Sequence, residues 1–111
     1  MTTTEIITPL SEPQKVEVRE ATSRCIVQAS ALYGRAFNLV PVDFDLSGRC
    51  AGMYQVRGST RRIRFNPWLF AKYYQDSVTD TVIHEVAHYI VDSLYGLKRV
   101  KPHGQEWKKI M

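Results

Sequence analysis

A short histidine motif constrains this chain more than any other feature. The run His84-Glu85-Val86-Ala87-His88 places two histidines four residues apart around a glutamate. On a helix, residues at this spacing lie one above the other, so two imidazoles can bind one metal ion. Glu85 is rotated by about 100° from His84, which puts its carboxylate beside the ion, where it can accept a proton from an attacking water. The motif therefore predicts a helix that carries a catalytic zinc site of the peptidase type.

A catalytic zinc ion takes three protein ligands and keeps a fourth position open for water. The remaining histidine of the chain, His103, follows Gly96, whose helix-breaking character would let the chain return to the metal. Glu106 and Asp92 are competing third ligands, Asp92 because it continues the four-residue spacing from His88. We favour His103, and interpret Asp92 as a partner of a ligand or as an exposed helix charge.

Composition and length fit one globular domain. The chain has 111 residues, of which 44% are apolar and 23% charged. It has no membrane-spanning apolar run, and its first residues lack the basic start and apolar core of a signal peptide. We therefore expect a cytoplasmic monomer without membrane contact. Cys25 and Cys50 lack metal-site spacing, which predicts two free, buried thiols.

Periodicity and turn chemistry predict an α+β fold that begins with a helix. Ser11 and Gln14 form a capping box at the start of this helix, and Gly34 is its stop. Residues 1–10 are expected to be a flexible arm. The predicted apolar stripe of the helix consists of Val18, Ala21, Cys25, Ala29 and Leu32.

A small three-stranded sheet is predicted to follow, over 42–46, 51–56 and 62–65. The turn at 58–60 joins the last two strands into a hairpin. Asn66-Pro67 begins a short helix that reaches Tyr74. The motif helix runs from Ser77 to about Tyr95, with an apolar stripe of Ile83, Ala87, Ile90, Val91 and Leu94. Residues 97–104 are predicted to be a loop and 105–111 the start of another helix.

Charge is unevenly distributed along the chain. Residues 1–46 have a net charge of −2 and residues 47–111 a net charge of +6, so the metal motif lies in the basic part. Phosphate contacts from such a region would give salt-dependent, sequence-independent binding to DNA. The candidate DNA contacts are Arg57, Arg61, Arg62, Arg64, Lys98, Arg99, Lys101, Lys108 and Lys109. The alternative is that these residues form solvated strand and helix faces.

Four segments in order, from about Gly34 to Met111, resemble the SprT family of zinc metalloproteases, which includes the Spartan DNA–protein crosslink protease. They are Ser47-Gly48-Arg49-Cys50-Ala51-Gly52-Met53-Tyr54, Ile63-Arg64-Phe65-Asn66-Pro67, the His-Glu-x-x-His helix, and His103-Gly104-Gln105-Glu106-Trp107-Lys108 with Met111. The small bacterial SprT branch is the most similar. The resemblance implies a zincin-like metalloprotease domain over residues 11–111. It also implies His84, His88 and His103 as ligands of one zinc ion, and Glu85 as the catalytic base.

The same resemblance implies a protein substrate bound to DNA, such as a DNA–protein crosslink, with DNA as an activator and an association with the nucleoid. Members of this branch often continue into a cysteine-rich zinc ribbon, which is absent from residues 1–111. Two other functions stay open: a DNA-associated binding module with a non-catalytic zinc site, and a metallohydrolase that acts on another substrate. The presence of Glu85 favours the protease and the other metallohydrolase over the binding module, because a structural site has no use for a carboxylate beside an open coordination position.

Overall fold

A computed structural model describes residues 8–96 of the chain. Its elements confirm the predicted α+β order of an N-terminal helix, a three-stranded sheet and a C-terminal helix that carries the motif. They are α1 (Glu12–Tyr33), β1 (Val42–Asp43), β2 (Gly52–Arg57), β3 (Thr60–Phe65), α2 (Pro67–Lys72), α3 (Tyr74–Asp76), a π-helical turn (Ser77–Thr81) and α4 (Val82–Tyr95). No helix within residues 8–96 combines the length and the apolarity needed to cross a bilayer.

Helix α1 begins and ends where its capping residues predict. Ser11 and Gln14 form the reciprocal capping box, and Gly34 ends the helix with a φ of 61°. Its buried side chains are Val18, Thr22 and Ile26. The predicted stripe was wrong at its end, because Leu32 is 77% exposed. Before the helix, Leu10 is buried, so the predicted arm reaches the core at its last residue.

The sheet has the strand order β1-β3-β2, with β1 parallel and β2 antiparallel to β3. The predicted hairpin is confirmed: Arg57 pairs with Thr60 across the turn, where Gly58 has a φ of 58°. Strand β1 is shorter than predicted, because its ladder with β3 ends at the pair Asp43–Arg64. Beyond this pair the Leu46 N–H still donates to the Phe65 carbonyl, and the Leu46 side chain is buried.

Asn66 joins the sheet to the short helix α2. Its side-chain oxygen accepts hydrogen bonds from the N–H groups of Trp68 and Leu69, as the predicted N-cap requires. Its amide nitrogen donates to the Gly48 carbonyl at 3.1 Å, and the residue is fully buried. Helix α2 ends at Lys72, two residues earlier than predicted. Asn66 therefore fixes both the start of α2 and the loop before β2.

We expect Asn66→Ala to lower the free energy of unfolding by about 2–3 kcal/mol, because it removes the cap and leaves the Gly48 carbonyl without its donor. Ser11→Ala is the matched control, since Ser11 caps α1 from an exposed position. Its cost should be about 1 kcal/mol or less. Urea unfolding measures both values, and equal losses would contradict the role assigned to the buried amide.

The motif helix has a more complex start than predicted. A π-helical turn over Ser77–Thr81 precedes α4, so the regular α-helical part begins at Val82 rather than at Ser77. Gly96 ends the helix as predicted. The side chains of Val82, Val86 and Ile90 are buried in the core, whereas Ile83 is 37% exposed. The buried face of α4 therefore packs on α1 and the sheet, with the motif histidines at its border.

The two thiols only partly follow the sequence prediction. Cys25 and Cys50 are both free cysteines, as expected. Cys25 is half-buried in α1, where burial raises the pKa of its thiol. Cys50 is exposed, so the prediction of a buried thiol was wrong there. It lies in the loop before β2, and its Sγ contacts the Gly52 carbonyl at 3.2 Å.

Candidate metal centre

His84 and His88 lie on one face of α4 and point their imidazoles at the same place. Their Nε2 atoms are 3.2 Å apart, the ring centroids are separated by 4.9 Å, and both residues are half-buried. Two nitrogen ligands of a tetrahedral zinc ion, each about 2.0–2.1 Å from the metal, lie about 3.3 Å from one another. The spacing of the two nitrogens therefore fits a shared tetrahedral metal ion.

Glu85 completes a group of three side chains that could hold a metal ion. The ligand atoms of His84, Glu85 and His88 all lie within 4.8 Å of one another. Glu85 is only 5% exposed, and this burial raises the pKa of its carboxyl from 4.5 to about 7. A hydrogen bond from the Tyr54 main chain acts in the opposite direction. A carboxyl with a pKa near neutrality can both accept and return a proton at physiological pH.

The elevated pKa of Glu85 predicts that the metal-free chain loses stability as pH rises. The carboxyl titrates near 4.5 when unfolded and at about 7 when folded, so the folded state binds more protons between these values. In this window the free energy of unfolding falls with increasing pH, by up to about 3 kcal/mol in total. Urea unfolding of the chelator-treated chain should show this fall relative to Glu85→Gln. Parallel pH profiles of the two proteins would contradict it.

Strand β2 passes close to the motif through Gly52. A Cβ atom at this position would lie 2.9 Å from Glu85 Oε2, 3.0 Å from Glu85 Cγ and 3.1 Å from Thr81 Cγ2. Real Cβ atoms do not approach other atoms so closely, so only glycine allows the strand to reach the carboxylate at this distance. Gly52 thus sets the separation between β2 and the start of α4.

The outer edge of β2 presents main-chain groups beside Glu85. Ile63, the β3 partner of Tyr54, donates its N–H to Pro41 and therefore points away from β2. Tyr54 and Ile63 therefore form a non-hydrogen-bonded pair of the antiparallel ladder. In such a pair, the main-chain groups of both residues point away from the partner strand. Phe65, which pairs with Gly52, also bonds away from β2, because its carbonyl accepts from Leu46. Gly52 and Tyr54 consequently direct their amide and carbonyl groups to the outer edge of β2, which no other strand within residues 8–96 pairs with. We call this edge of β2 the open edge.

Asp92 is a buried residue of α4 that contacts the hairpin. Its side chain is 6% exposed, so the prediction of an exposed helix charge was wrong. Asp92 Oδ2 accepts hydrogen bonds from the Tyr54 hydroxyl at 2.6 Å and from Arg61 Nε at 2.8 Å. The carboxylate lies outside the group formed by the two histidines and Glu85. Asp92 therefore connects α4 to the hairpin.

The candidate DNA contacts of the hairpin are largely engaged by carboxylates. Arg61 pairs with buried Asp92. Arg62 and Arg64 pair with aspartates on the outer face of the sheet, which is the face away from α4. Arg62 Nη1 lies 3.0 Å from Asp43 Oδ2, and Arg64 Nε lies 2.8 Å from Asp45 Oδ1. Arg57 is exposed at the end of β2. The hairpin consequently presents less free positive charge than its sequence alone indicates.

Several predicted site residues lie outside the described residues 8–96. They are the third ligand His103, its competitor Glu106, and the basic residues Lys98, Arg99, Lys101, Lys108 and Lys109. The loop and the last helix expected over 97–111 also fall there. The described part of the chain therefore brings together His84, Glu85 and His88, and the remaining assignments stay predictions.

A family model and individual relatives match the chain along most of its length. The model of the SprT-like family covers residues 22–111. The chain belongs to the SprT-like family. Protein SprT of Pseudomonas fluorescens (strain SBW25) is 39% identical to it over 87 residues, and Protein SprT of Pseudomonas syringae pv. syringae (strain B728a) is 40% identical over 87 residues. Both matches cover 78% of this chain and 51% of the relative, so the chain spans about half the length of these relatives. No solved structure matches the chain.

Sequence reasoning missed how the strand next to the motif helps to build this SprT-like site. Gly52 and Tyr54 were recognised only as part of a matching segment, and Arg61 only as a basic residue. A glycine inside a predicted strand was the available signal, because it often marks a close approach of the backbone to another group. The contact of Tyr54 and Arg61 with Asp92 joins residues 38 and 31 positions apart, and no local pattern reports it.

Proposed function

We propose that this SprT-like chain is a zinc-dependent endopeptidase with a zincin-like fold formed by residues 11–111. The observation that carries the proposal is the meeting of two imidazole nitrogens at ligand spacing with one buried carboxylate, within 4.8 Å. Two histidines alone would suit a structural site equally well. The buried carboxyl of Glu85 beside the two imidazoles is what favours catalysis, because it is placed to accept a proton from a water at the metal.

In the proposed mechanism, His84, His88 and His103 would hold the zinc ion. Zinc, when bound, supplies a water of lowered pKa and a positive charge that stabilises the oxyanion. Glu85 accepts a proton from the attacking water and then donates it to the nitrogen of the leaving amine. The low exposure of Glu85 limits exchange of this proton with bulk solvent.

The open edge of β2 is the proposed binding surface for the substrate main chain. An extended peptide can add to a strand edge through main-chain hydrogen bonds, which do not depend on the substrate sequence. The Gly52 amide and the Tyr54 carbonyl present such groups within reach of Glu85, because the Gly52 carbonyl contacts Cys50 and the Tyr54 amide faces Glu85. A peptide held there would have its scissile bond beside the carboxylate. This arrangement supports cleavage of flexible segments with little sequence preference.

We further propose that the substrates are proteins associated with DNA, DNA–protein crosslinks among them. The support is the net charge of +6 over residues 47–111 and the family resemblance. On the outer face of the sheet, Arg57 and Arg62 line a cavity of about 250 Å³ together with Gln55 and Thr60. The other proposed contacts are the basic residues between Lys98 and Lys109. Binding through these groups would weaken steeply with salt.

Cleavage of a flexible, lysine-rich DNA-binding protein by the zinc-loaded chain tests the proposal. We expect one zinc ion per chain, cleavage by the wild type, and faster cleavage in the presence of single-stranded DNA. A folded chain with one bound zinc ion that leaves the protein intact would contradict the endopeptidase and favour the non-catalytic binding module. Cleavage at the same rate with and without DNA would contradict only the role of DNA.

A further inference from the structure

Tyr54 contacts helix α4 at two levels. Its main chain lies near enough to the Glu85 carboxyl to lower the pKa of that group, and its hydroxyl donates to Asp92 Oδ2 at 2.6 Å. Glu85 and Asp92 are seven residues apart, which corresponds to two helical turns and about 10 Å along the axis. They therefore lie on the same face of the helix. Tyr54 consequently reaches from Glu85, the proposed catalytic base, to the buried carboxylate of Asp92 two turns farther along the helix.

Asp92 is held by both strands of the hairpin. Tyr54 comes from β2, and Arg61, whose Nε lies 2.8 Å from the same Oδ2 atom, comes from β3. A buried carboxylate needs such donors, because leaving it without partners in a protein interior is strongly unfavourable. The Tyr54 ring also packs on Tyr89 of α4, with 5.8 Å between the ring centroids. The three residues Tyr54, Arg61 and Asp92, which we call the Asp92 clamp, fasten the hairpin to the helix.

Near Glu85, β2 lies so close to α4 that there is no room for a side chain at Gly52. A Cβ atom at Gly52 would already lie 2.9 Å from Glu85 Oε2. At Gly52 the strand therefore lies too close to the proposed base to admit a methyl group, and through Tyr54 it is hydrogen-bonded to the helix at Asp92. A change at either end would move the Tyr54 main chain relative to Glu85. The separation of the strand and the helix is consequently determined by both ends.

We propose that the Asp92 clamp positions Glu85 for proton transfer by holding β2 at a fixed separation from α4. Tyr54, Arg61 and Asp92 are positioning residues, because they act through the strand and not on the substrate. The inference rests on the proposed endopeptidase function for its catalytic consequence. Its structural part, that the clamp holds the Tyr54 main chain against Glu85, is independent of any activity.

Tyr54→Phe is the most direct test, because it keeps the ring contact with Tyr89 and removes only the hydroxyl. We expect kcat on an unfolded protein such as casein to fall by about tenfold, with KM and zinc content unchanged. In the metal-free chain, hydrogen exchange of the Tyr54 amide should become about tenfold faster, since opening of the strand exposes it. Asp92→Asn should reproduce both effects, because it keeps the size of the side chain and weakens both hydrogen bonds.

Asp43→Asn is the matched control. It makes the same change as Asp92→Asn at a carboxylate that pairs with Arg62 of the same hairpin on the outer face, away from α4. Both kcat and the exchange of the Tyr54 amide should keep their wild-type values in this variant. Wild-type values in Tyr54→Phe, or faster exchange with an unchanged kcat, would overturn the positioning role. If the wild type cleaves nothing, the proposed function fails, and unchanged amide exchange would separately overturn the clamp.

Discussion

Glu85→Gln is expected to reduce peptide cleavage by about 10³-fold while zinc remains bound, because general acid–base groups typically contribute between about 10² and 10⁴. Glutamine has nearly the same shape as glutamate but cannot accept the proton. The histidines keep their spacing, since the helix determines it. The loss should appear in kcat, because the proposed binding surface for the substrate main chain is β2 and not Glu85.

Metal content and kcat should be measured on the same preparation of Glu85→Gln. The matched control is Asp80→Asn, which makes the same kind of change at an exposed carboxylate in the π-helical turn before α4. We expect wild-type kinetics from this control. Cleavage at more than about a tenth of the wild-type rate by zinc-loaded Glu85→Gln would remove Glu85 from the role of the base.

Gly52→Ala is expected to have the second largest effect on activity. The added Cβ would lie 2.9 Å from Glu85 Oε2 and 3.1 Å from Thr81 Cγ2, so either the strand or the carboxylate must move. Overpacking of this kind costs about 1–3 kcal/mol of stability. Displacement of a catalytic group by about 1 Å can reduce kcat by about 100-fold. We therefore expect a moderate loss of stability together with a large loss of kcat.

Gly34→Ala is the control that separates the loss of stability from the loss of kcat. Gly34 has a φ of 61°, and no atom of residues 8–96 would lie within 4 Å of an added Cβ, so alanine there strains the backbone without a collision. The cost should be about 1 kcal/mol. The C-terminus of α1 contains no proposed catalytic group, and kcat should stay at the wild-type value. If Gly52→Ala loses stability but keeps wild-type kcat, the close approach of β2 has no catalytic importance.

The parts of the fold that the sequence predicted correctly are those that local interactions determine. Capping at Ser11 and Asn66 involves partners two or three residues away, so the residues themselves indicate where the helices begin. The hairpin follows from alternation and a short turn at Gly58. The spacing of His84 and His88 on a helix leads directly to the distance between their nitrogens. Each of these features requires only secondary structure.

The remaining features depend on contacts between distant parts of the chain. Alternation predicts that Arg62 and Arg64 share a strand face, but not that Asp43 and Asp45 occupy the neighbouring positions. Helical spacing allowed Asp92 to be a ligand or an exposed charge, and only the packing of the hairpin on α4 places Tyr54 and Arg61 at its carboxylate. Which main-chain groups of β2 point outward likewise depends on the register with β3.

The packing of α4 on the core has a consequence for loss of the metal ion. Small zinc domains commonly fold only when the ion arrives, so that the free energy of metal binding is spent on ordering the chain. In this chain the helix that carries two of the donors is fastened to the rest of the fold by buried apolar side chains, Val82, Val86 and Ile90 among them. These contacts do not involve the ion. We therefore expect a chelator to abolish activity and leave the helix content unchanged, which circular dichroism of the chelated chain measures.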